Sequence, residues 1–333
     1  MHSRRALAPA VFSLTLVLAA CQPGQQAAAP SSQQVAEAFV SQVVLPDYQQ
    51  LVAGSQRLAS ALDALAAKPD AAHLEAARTA WRQVRGVWEK GESWAFGPAE
   101  TGGFDGNLDD WPVNERDLRA ALASGALTPE LFTRLTTTAK GFHGIEAVLF
   151  GDGASAPDAS ELSAAQRTYL RQAGADLAAN AKGLLAAWSG PSGFGSEFSA
   201  NGDEAVAEIL QGMVGTLEEV AAEKLGAPLK SRKKEDLESF YSDNTHADIV
   251  ANLAGVREAL QRSGLLGWIR SRDAQLAGSL EQALKEAQTS AQALPSGLND
   301  TLDDAAARER IQAVISGSDR SAALLKQAAA LLS

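Results

Sequence analysis

The sequence is poor in the residues that most often carry chemistry. It has one cysteine and four histidines among 333 residues. A single cysteine rules out an internal disulfide framework. Aromatic residues are sparse, at 6%. Runs of β-branched residues are missing, and no segment keeps a strand period long enough to form a sheet. Basic residues are in deficit: 29 Lys and Arg face 40 Asp and Glu, for a formal net charge of -11. That balance argues against nucleic acid or anionic lipid as the main partner, because both demand clustered cations. The densest basic run, Lys230-Ser231-Arg232-Lys233-Lys234, is followed at once by Glu235 and Asp236 and reads as a solvated loop. No glycine-rich phosphate loop and no Ser-His-Asp spacing stands out. Past the N-terminus, no segment is long and apolar enough to span a bilayer.

The N-terminus carries a targeting signal. Arg4 and Arg5 precede an apolar stretch, Ala6 to Ala20, with the length of a signal-peptide core. It closes on Leu18-Ala19-Ala20-Cys21, which resembles a bacterial lipoprotein cleavage box. The resemblance implies removal of residues 1–20 and lipidation of Cys21. Gln22 behind the cysteine implies sorting to the outer membrane. Residues 21–34 are rich in Gln, Ala, Pro, Gly and Ser and read as a flexible tether.

Helical periodicity fills the rest, and the expected fold class is all-α. Val35, Phe39 and Val43 share one face; Pro46 interrupts, and Leu51, Leu58, Leu62 and Leu65 continue the stripe. Leu74, Ala77, Trp81, Val84 and Trp88 form the next. Residues 91–114 are rich in glycine and acid but interleave Trp94, Phe96, Phe104 and Trp111. Aromatics favour burial, so this stretch predicts an ordered loop packed over a bundle end. Further helices are expected near Pro129–Thr137, Lys140–Phe150, Ser163–Trp188 and Glu204–Leu225. One more should start near Asp243 or Thr245, and three should span Asp273–Ala293, Asp303–Ile315 and Asp319–Leu332. A chain this long usually divides. Two helical-bundle halves are expected, 35–155 and 156–333, with the boundary near Ala156.

One run stands out, Gly141-Phe142-His143-Gly144-Ile145-Glu146. Positions three apart share a helix face, so His143 and Glu146 can converge on one ion. Imidazole with carboxylate suits iron, zinc or manganese. Taken alone, such a pair is more commonly a helix-surface contact. Gly141 and Gly144 each cost about 1 kcal/mol in a helix interior, which suggests close approach of a backbone or ligand there. The His-Glu-x-x-His motif of zinc peptidases is absent, since glycine follows His143 and alanine follows Glu146. His246 is the one distant histidine that could complete a peptidase-like set, although a place beside a helix start suits a surface or capping role.

The run GFHGIEAVLFG resembles the Gly-x-His-x-x-Glu signature of the imelysin family, which includes an insulin-cleaving membrane peptidase and iron-regulated protein A-like lipoproteins. Trp81-Arg82-x-x-Arg85-x-x-Trp88 with Glu92-Ser93-Trp94-x-Phe96-Gly97-Pro98, then Asp105 to Pro112, and Glu238 to Thr245 resemble further blocks of it, in order. The resemblance implies two bundle-like halves facing the periplasm, with a site around His143 and Glu146 where the halves meet. It implies a divalent or trivalent metal ion as cofactor or cargo, iron first and zinc as the alternative. The expected function is metal binding for iron uptake or homeostasis, with the membrane, through the lipid anchor, and an iron-transport protein as partners. A metallopeptidase using the same His-x-x-Glu pair is the alternative.

Two ligands do not hold an ion. Glu92, Asp105, Asp109, Asp110, Asp243 and Asp248 are the candidates for the rest. Glu92 comes first through its matched block, then Asp243 and Asp248. Each has a plain alternative: Asp243 as a helix cap, Asp248 as first-turn dipole compensation, the loop aspartates as turn formers. Arginine cannot coordinate a cation, so Arg85 is expected to pair with the ligands rather than join them. Trp81, Trp88 and Trp94 are expected in the core.

Overall fold

A computed structural model describes residues 29–123, 127–151 and 157–332. Cys21, the signal segment and the expected boundary at Ala156 lie outside those residues. The described chain is helical throughout, with no strand among the described residues. It opens with α1 (Ser32–Ala38), a π-helical turn (Phe39–Val44) and α2 (Leu45–Ala67), which form one continuous rod. α3 (Ala71–Gly91) returns along it. The segment between α3 and the motif holds α4 (Pro98–Thr101), α5 (Phe104–Asp109), α6 (Glu115–Ala123) and α7 (Pro129–Thr133). Then come α8 (Gly141–Phe150), α9 (Ala164–Trp188), α10 (Phe194–Ala200) and α11 (Asp203–Glu219). A second π turn (Val220–Gly226) joins α11 to α12 (Ala227–Ser231). α13 (Thr245–Arg262), α14 (Leu265–Arg272), α15 (Ala274–Gln292) and α16 (Ala305–Ala329) complete the chain.

Several boundaries differ from the sequence expectation, each for a physical reason. The helix starts at Ser32, inside the expected tether, because Ser31 and Gln34 form a reciprocal capping box. Pro46 does not interrupt the first rod. Proline lacks an N–H for the preceding turn, and the helix widens to π over Phe39–Val44 instead of breaking. Pro228 follows the second π turn in the same way. The glycine-rich stretch 91–114 is partly helical, and it buries Trp94 and Phe96 as expected. The two helices expected from Asp303 and Asp319 are one, α16. Gly317 does not stop it; it lets the helix lie against Ala287 of α15.

α2 packs chiefly along α9 and α3, with α8 against α9 and α3. α11, α13, α15 and α16 pack on one another. Residues 164–188 therefore group by packing with the N-terminal helices. α13 crosses to α3 and joins the two groups, and one continuous cluster of buried apolar side chains runs through both. Trp188 anchors an aromatic cluster with Tyr48, Phe96, Phe194 and Phe198.

The α3–α13 crossing is close because Gly255 has no side chain: a Cβ there would collide with the Lys90 carbonyl. Gly255→Ala gains about 1 kcal/mol of helix propensity but overpacks the crossing, at a cost of about 1–3 kcal/mol. We expect net destabilisation in urea unfolding. A midpoint at or above that of the parent would contradict this packing.

Candidate metal centre

The centre is built from seven segments. α3 points Arg85, Trp88 and Glu89 inward, and the turn after it adds Glu92. Asp109 ends α5, and His143 and Glu146 lie on the first turns of α8. The second π turn contributes Lys224, and the segment before α13 contributes Glu238 and Ser242. α13 adds Asp248 and Asn252.

The motif glycines are explained by contact. Gly141 has φ +58, and a Cβ on it would strike the Leu108 carbonyl. Gly144 leaves room for the Tyr169 hydroxyl, which donates to the Ala139 carbonyl at 2.8 Å. Both let α8 sink until His143 is 1% exposed.

His143 and Glu146 share a face and meet there side by side. Glu146 Oε2 lies 3.1 Å from His143 Nδ1. Its Oε1 accepts the Ser242 N–H at 2.9 Å and the Ser242 hydroxyl at 2.6 Å. Glu146 thus fixes the ring, as carboxylates behind metal-binding histidines do. The opposite nitrogen, Nε2, faces Asp109 Oδ1 at 3.1 Å and Glu238 Oε1 at 3.8 Å. Nε2 is buried and within reach of Asp109, yet it meets no partner in the direction a hydrogen bond requires. Donor atoms about 2.1 Å from one ion stand about 3.0 Å apart in octahedral and about 3.4 Å apart in tetrahedral geometry. The Asp109–His143 spacing falls in that range, the Glu238 oxygen stands somewhat outside it at 3.8 Å, and the ligand atoms of all three lie within 4.8 Å of one another.

Charge is unevenly shared. Arg85 is fully buried; it pairs with Asp109 and Glu89 and contacts Glu238 at 2.9 Å. Trp88 Nε1 donates to Asp109 Oδ2 at 2.5 Å. Burial alone would raise the Asp109 and Glu238 pKa values, but Arg85 beside Asp109, and Lys224 and Arg85 beside Glu238, hold both below the ordinary carboxylate range. Glu92 is held well above that range by burial and then by Glu89, and Asp248 by the same two causes. His143 shows the opposite contest. Burial and Arg85 push its pKa down, but the approach of Asp109, Glu146 and Glu238 outweighs them and holds it well above the usual imidazole value.

The remaining candidates are dispersed. Glu92 lies beside the His143 group, bound to Lys224 at 2.7 Å and to Asn252 at 2.6 Å. Asp248 stands 3.9 Å behind Arg85 and accepts from Asn244 at 2.7 Å. Asp243 is turned away, with φ +56, and accepts the Asn299 N–H at 3.1 Å. Its carboxylate does not cap α13, whose N-cap Asn244 makes no side-chain capping bond. Asp110 accepts from Thr137. His246 faces the Ala291 carbonyl at 3.1 Å, and His73 pairs with Asp70. Glu89, Glu238 and Lys224 were not foreseen. A signal existed for the first. Arg85, Glu89 and Glu92 sit at helical spacing on the tryptophan stripe of α3, where charges should not be unless they meet others.

Residues 44–330 match the family described as imelysin. The chain belongs to the imelysin family. It is 36% identical over 297 residues to iron-regulated protein A of Synechococcus elongatus, covering 85% of this chain and 76% of that relative. Among solved structures it resembles a provisionally named iron-regulated protein A precursor from Parabacteroides distasonis, at TM-score 0.84 and 20% identity, over 92% of this chain and 97% of that one. It also resembles an imelysin-like protein from Psychrobacter arcticum, at TM-score 0.74 and 20% identity, over 89% and 94%. At that identity the two structures speak for the fold alone. The helical fold anticipated from periodicity is therefore an imelysin fold.

In this imelysin-family chain a cavity of about 840 Å³ leads to the centre. Glu92, Asp109 and Glu238 form part of its wall, ten of its nineteen lining residues are acidic and none is basic.

The close fit at Gly144 is testable. Gly144→Ala should destabilise the fold by about 1–3 kcal/mol, because its Cβ and the Tyr169 hydroxyl claim one place. Adding Tyr169→Phe should recover part of that loss. A double-mutant cycle with no coupling would contradict the contact.

Proposed function

We propose that this protein binds one divalent metal ion, iron in the first place, through His143 Nε2, Asp109 and Glu238, with Glu146 orienting the imidazole. The observation that carries this reading is the buried Nε2, held in place from behind by Glu146 and aimed at two carboxylates. One imidazole with two carboxylates is an oxygen-rich, thiolate-free donor set, which suits iron, manganese or zinc. The name of the Synechococcus relative favours iron among them. The acid-lined cavity supports a free cation rather than an anionic chelate as the species that enters, since one sign of charge in a cleft concentrates the opposite ion.

The cellular setting is part of the same proposal. The lipoprotein-like box at Cys21 supports an anchor in the outer membrane with the folded part facing the periplasm. Among the described residues no helix is long and apolar enough to cross a membrane. The ion would be held for uptake or homeostasis and passed to a transport protein. A metallopeptidase has less support, because neither His73 nor His246 joins the group, and among the described residues no second imidazole does.

Equilibrium dialysis of the chain beginning after Cys21, under anaerobic iron(II) or with manganese(II), tests this. The parent should bind one ion per chain. His143→Ala and Glu238→Gln should abolish it, and Glu146→Gln should weaken it about 10- to 100-fold. Unchanged binding in the first two variants would overturn the proposal. Metal-dependent peptide cleavage lost in both would move the assignment to a peptidase.

The capture rate should depend on pH. Partial burial at the cavity wall, where its side chain is still 44% exposed, pushes Glu219 up to about 7, with Glu238, Glu89 and Asp109 adding to the rise and Lys224 opposing it. A raised carboxyl is neutral below its pKa and negative above it. Stopped-flow association should therefore quicken between pH 6 and pH 8, and more so at low salt. Glu219→Gln should flatten that rise; an unchanged profile would remove Glu219 from the entry path.

A further inference from the structure

Beside the His143 group stands a second set of carboxylates, Glu89, Glu92, Asp109 and Glu238, whose oxygens also lie within 4.8 Å of one another. A cation already sits in it. Lys224 Nζ is 2.9 Å from Glu89 Oε2, 2.7 Å from Glu92 Oε1 and 2.9 Å from Glu238 Oε2, and its side chain is 2% exposed. An ammonium has three N–H bonds, and here three carboxylates surround it. Burying an ammonium costs several kcal/mol unless its partners are well placed, so this arrangement is built rather than incidental.

Glu238 links the two sets. Its Oε1 faces His143 Nε2 at 3.8 Å and Arg85 at 2.9 Å, while its Oε2 faces Lys224. That is the disposition of a carboxylate bridging two cations, as in dinuclear carboxylate centres. Two oxygens of the set are buried and take no directed hydrogen bond, Glu89 Oε1 and Glu238 Oε2; only the ion pairs to Arg85 and Lys224 answer them. The position also opens on the cavity, through Glu92, Glu238 and Glu219, the last 4.0 Å from the ammonium. Lys224 itself rides on the π turn Val220–Gly226, and π turns often mark functional positions.

We propose that the Glu89–Glu92–Glu238 set is a second divalent-cation position and that the Lys224 ammonium fills it, limiting the centre to one ion. Lys224 is thus a specificity-determining residue. It admits a single metal beside His143 and excludes a pair. A neutral side chain of similar length leaves the three carboxylates without their cation and opens the position to a metal. The inference rests on the reading of His143, Asp109 and Glu238 as the first position, but its test separates the two.

The test is the count of manganese(II) ions per chain, by dialysis with elemental analysis, together with the electron paramagnetic resonance signal. The parent should hold one ion and Lys224→Met two, with spin coupling between them. Glu92→Gln in the Lys224→Met background should return the count to one. His143→Ala in that background should remove the other ion and leave the new one. Folded Lys224→Met with the parent's count overturns the inference, whatever that count is. A parent that binds none while Lys224→Met binds one overturns the reading of the His143 group and keeps that of Lys224. Should Lys224→Met not fold in metal-free buffer, manganese should restore its helical circular dichroism, and that of Lys224→Gln. Failure of manganese to restore either also overturns the inference.

Discussion

A fully buried guanidinium lies at the middle of this molecule. Arg85 cannot shed its charge, and removing it from water is tolerable only when several acceptors surround it. Here they come from separate parts of the chain: Glu89 on its own helix, Asp109 at the end of α5, Glu238 ahead of α13, and Asp248 within α13 at 3.9 Å. No one segment satisfies Arg85. The short helices after α3, the segment before α13 and the α3–α13 crossing must all be in place together. The charge network therefore fastens the two helix groups at the proposed metal site.

The same network gathers negative charge at the proposed site. Glu89, Glu92, Asp109, Glu146, Glu238 and Asp248 gather around Arg85, Lys224 and His143. Carboxylates outnumber permanent cations, and the pKa values divide accordingly. Asp109, against Arg85, and Glu238, between Arg85 and Lys224, are held below the ordinary carboxylate range, whereas burial and Glu89 raise Asp248, and also Glu92 despite Lys224 at 2.7 Å. Asp109 and Glu238 are the pair that faces His143 Nε2. Negative charge is concentrated where an imidazole nitrogen is presented.

Much of the fold was legible in the sequence, since helix periodicity survives without tertiary knowledge. Leu51, Leu58 and Leu62, or Ile249, Leu253 and Val256, reach the core as their spacing requires. Breaks were harder to read. Pro46 and Gly317 look like stops, but a π turn absorbs the first and close packing on Ala287 employs the second. At the site, the spacing of His143 and Glu146 gave a shared face but not which imidazole nitrogen each neighbour would take. Glu146 lies behind the ring, on Nδ1, and the facing carboxylates come from residues distant in sequence. Asp109 was one candidate among several loop acids. Glu238 headed a recognisable block, yet nothing local separates it from a surface glutamate. Lys224 carried no local signal at all, because its meaning depends on three carboxylates from other segments.

The proposed function depends on a metal bound at the Nε2 side of His143. Crystals grown with manganese(II) or iron(II) and measured at the metal's absorption edge would place the ion by anomalous scattering. One peak is expected about 2.1 Å from His143 Nε2 and from carboxylate oxygens of Asp109 and Glu238, with Glu146 still on Nδ1. A peak on the Glu146 side of the ring, or one confined to the cavity mouth with no bond to His143, would contradict it.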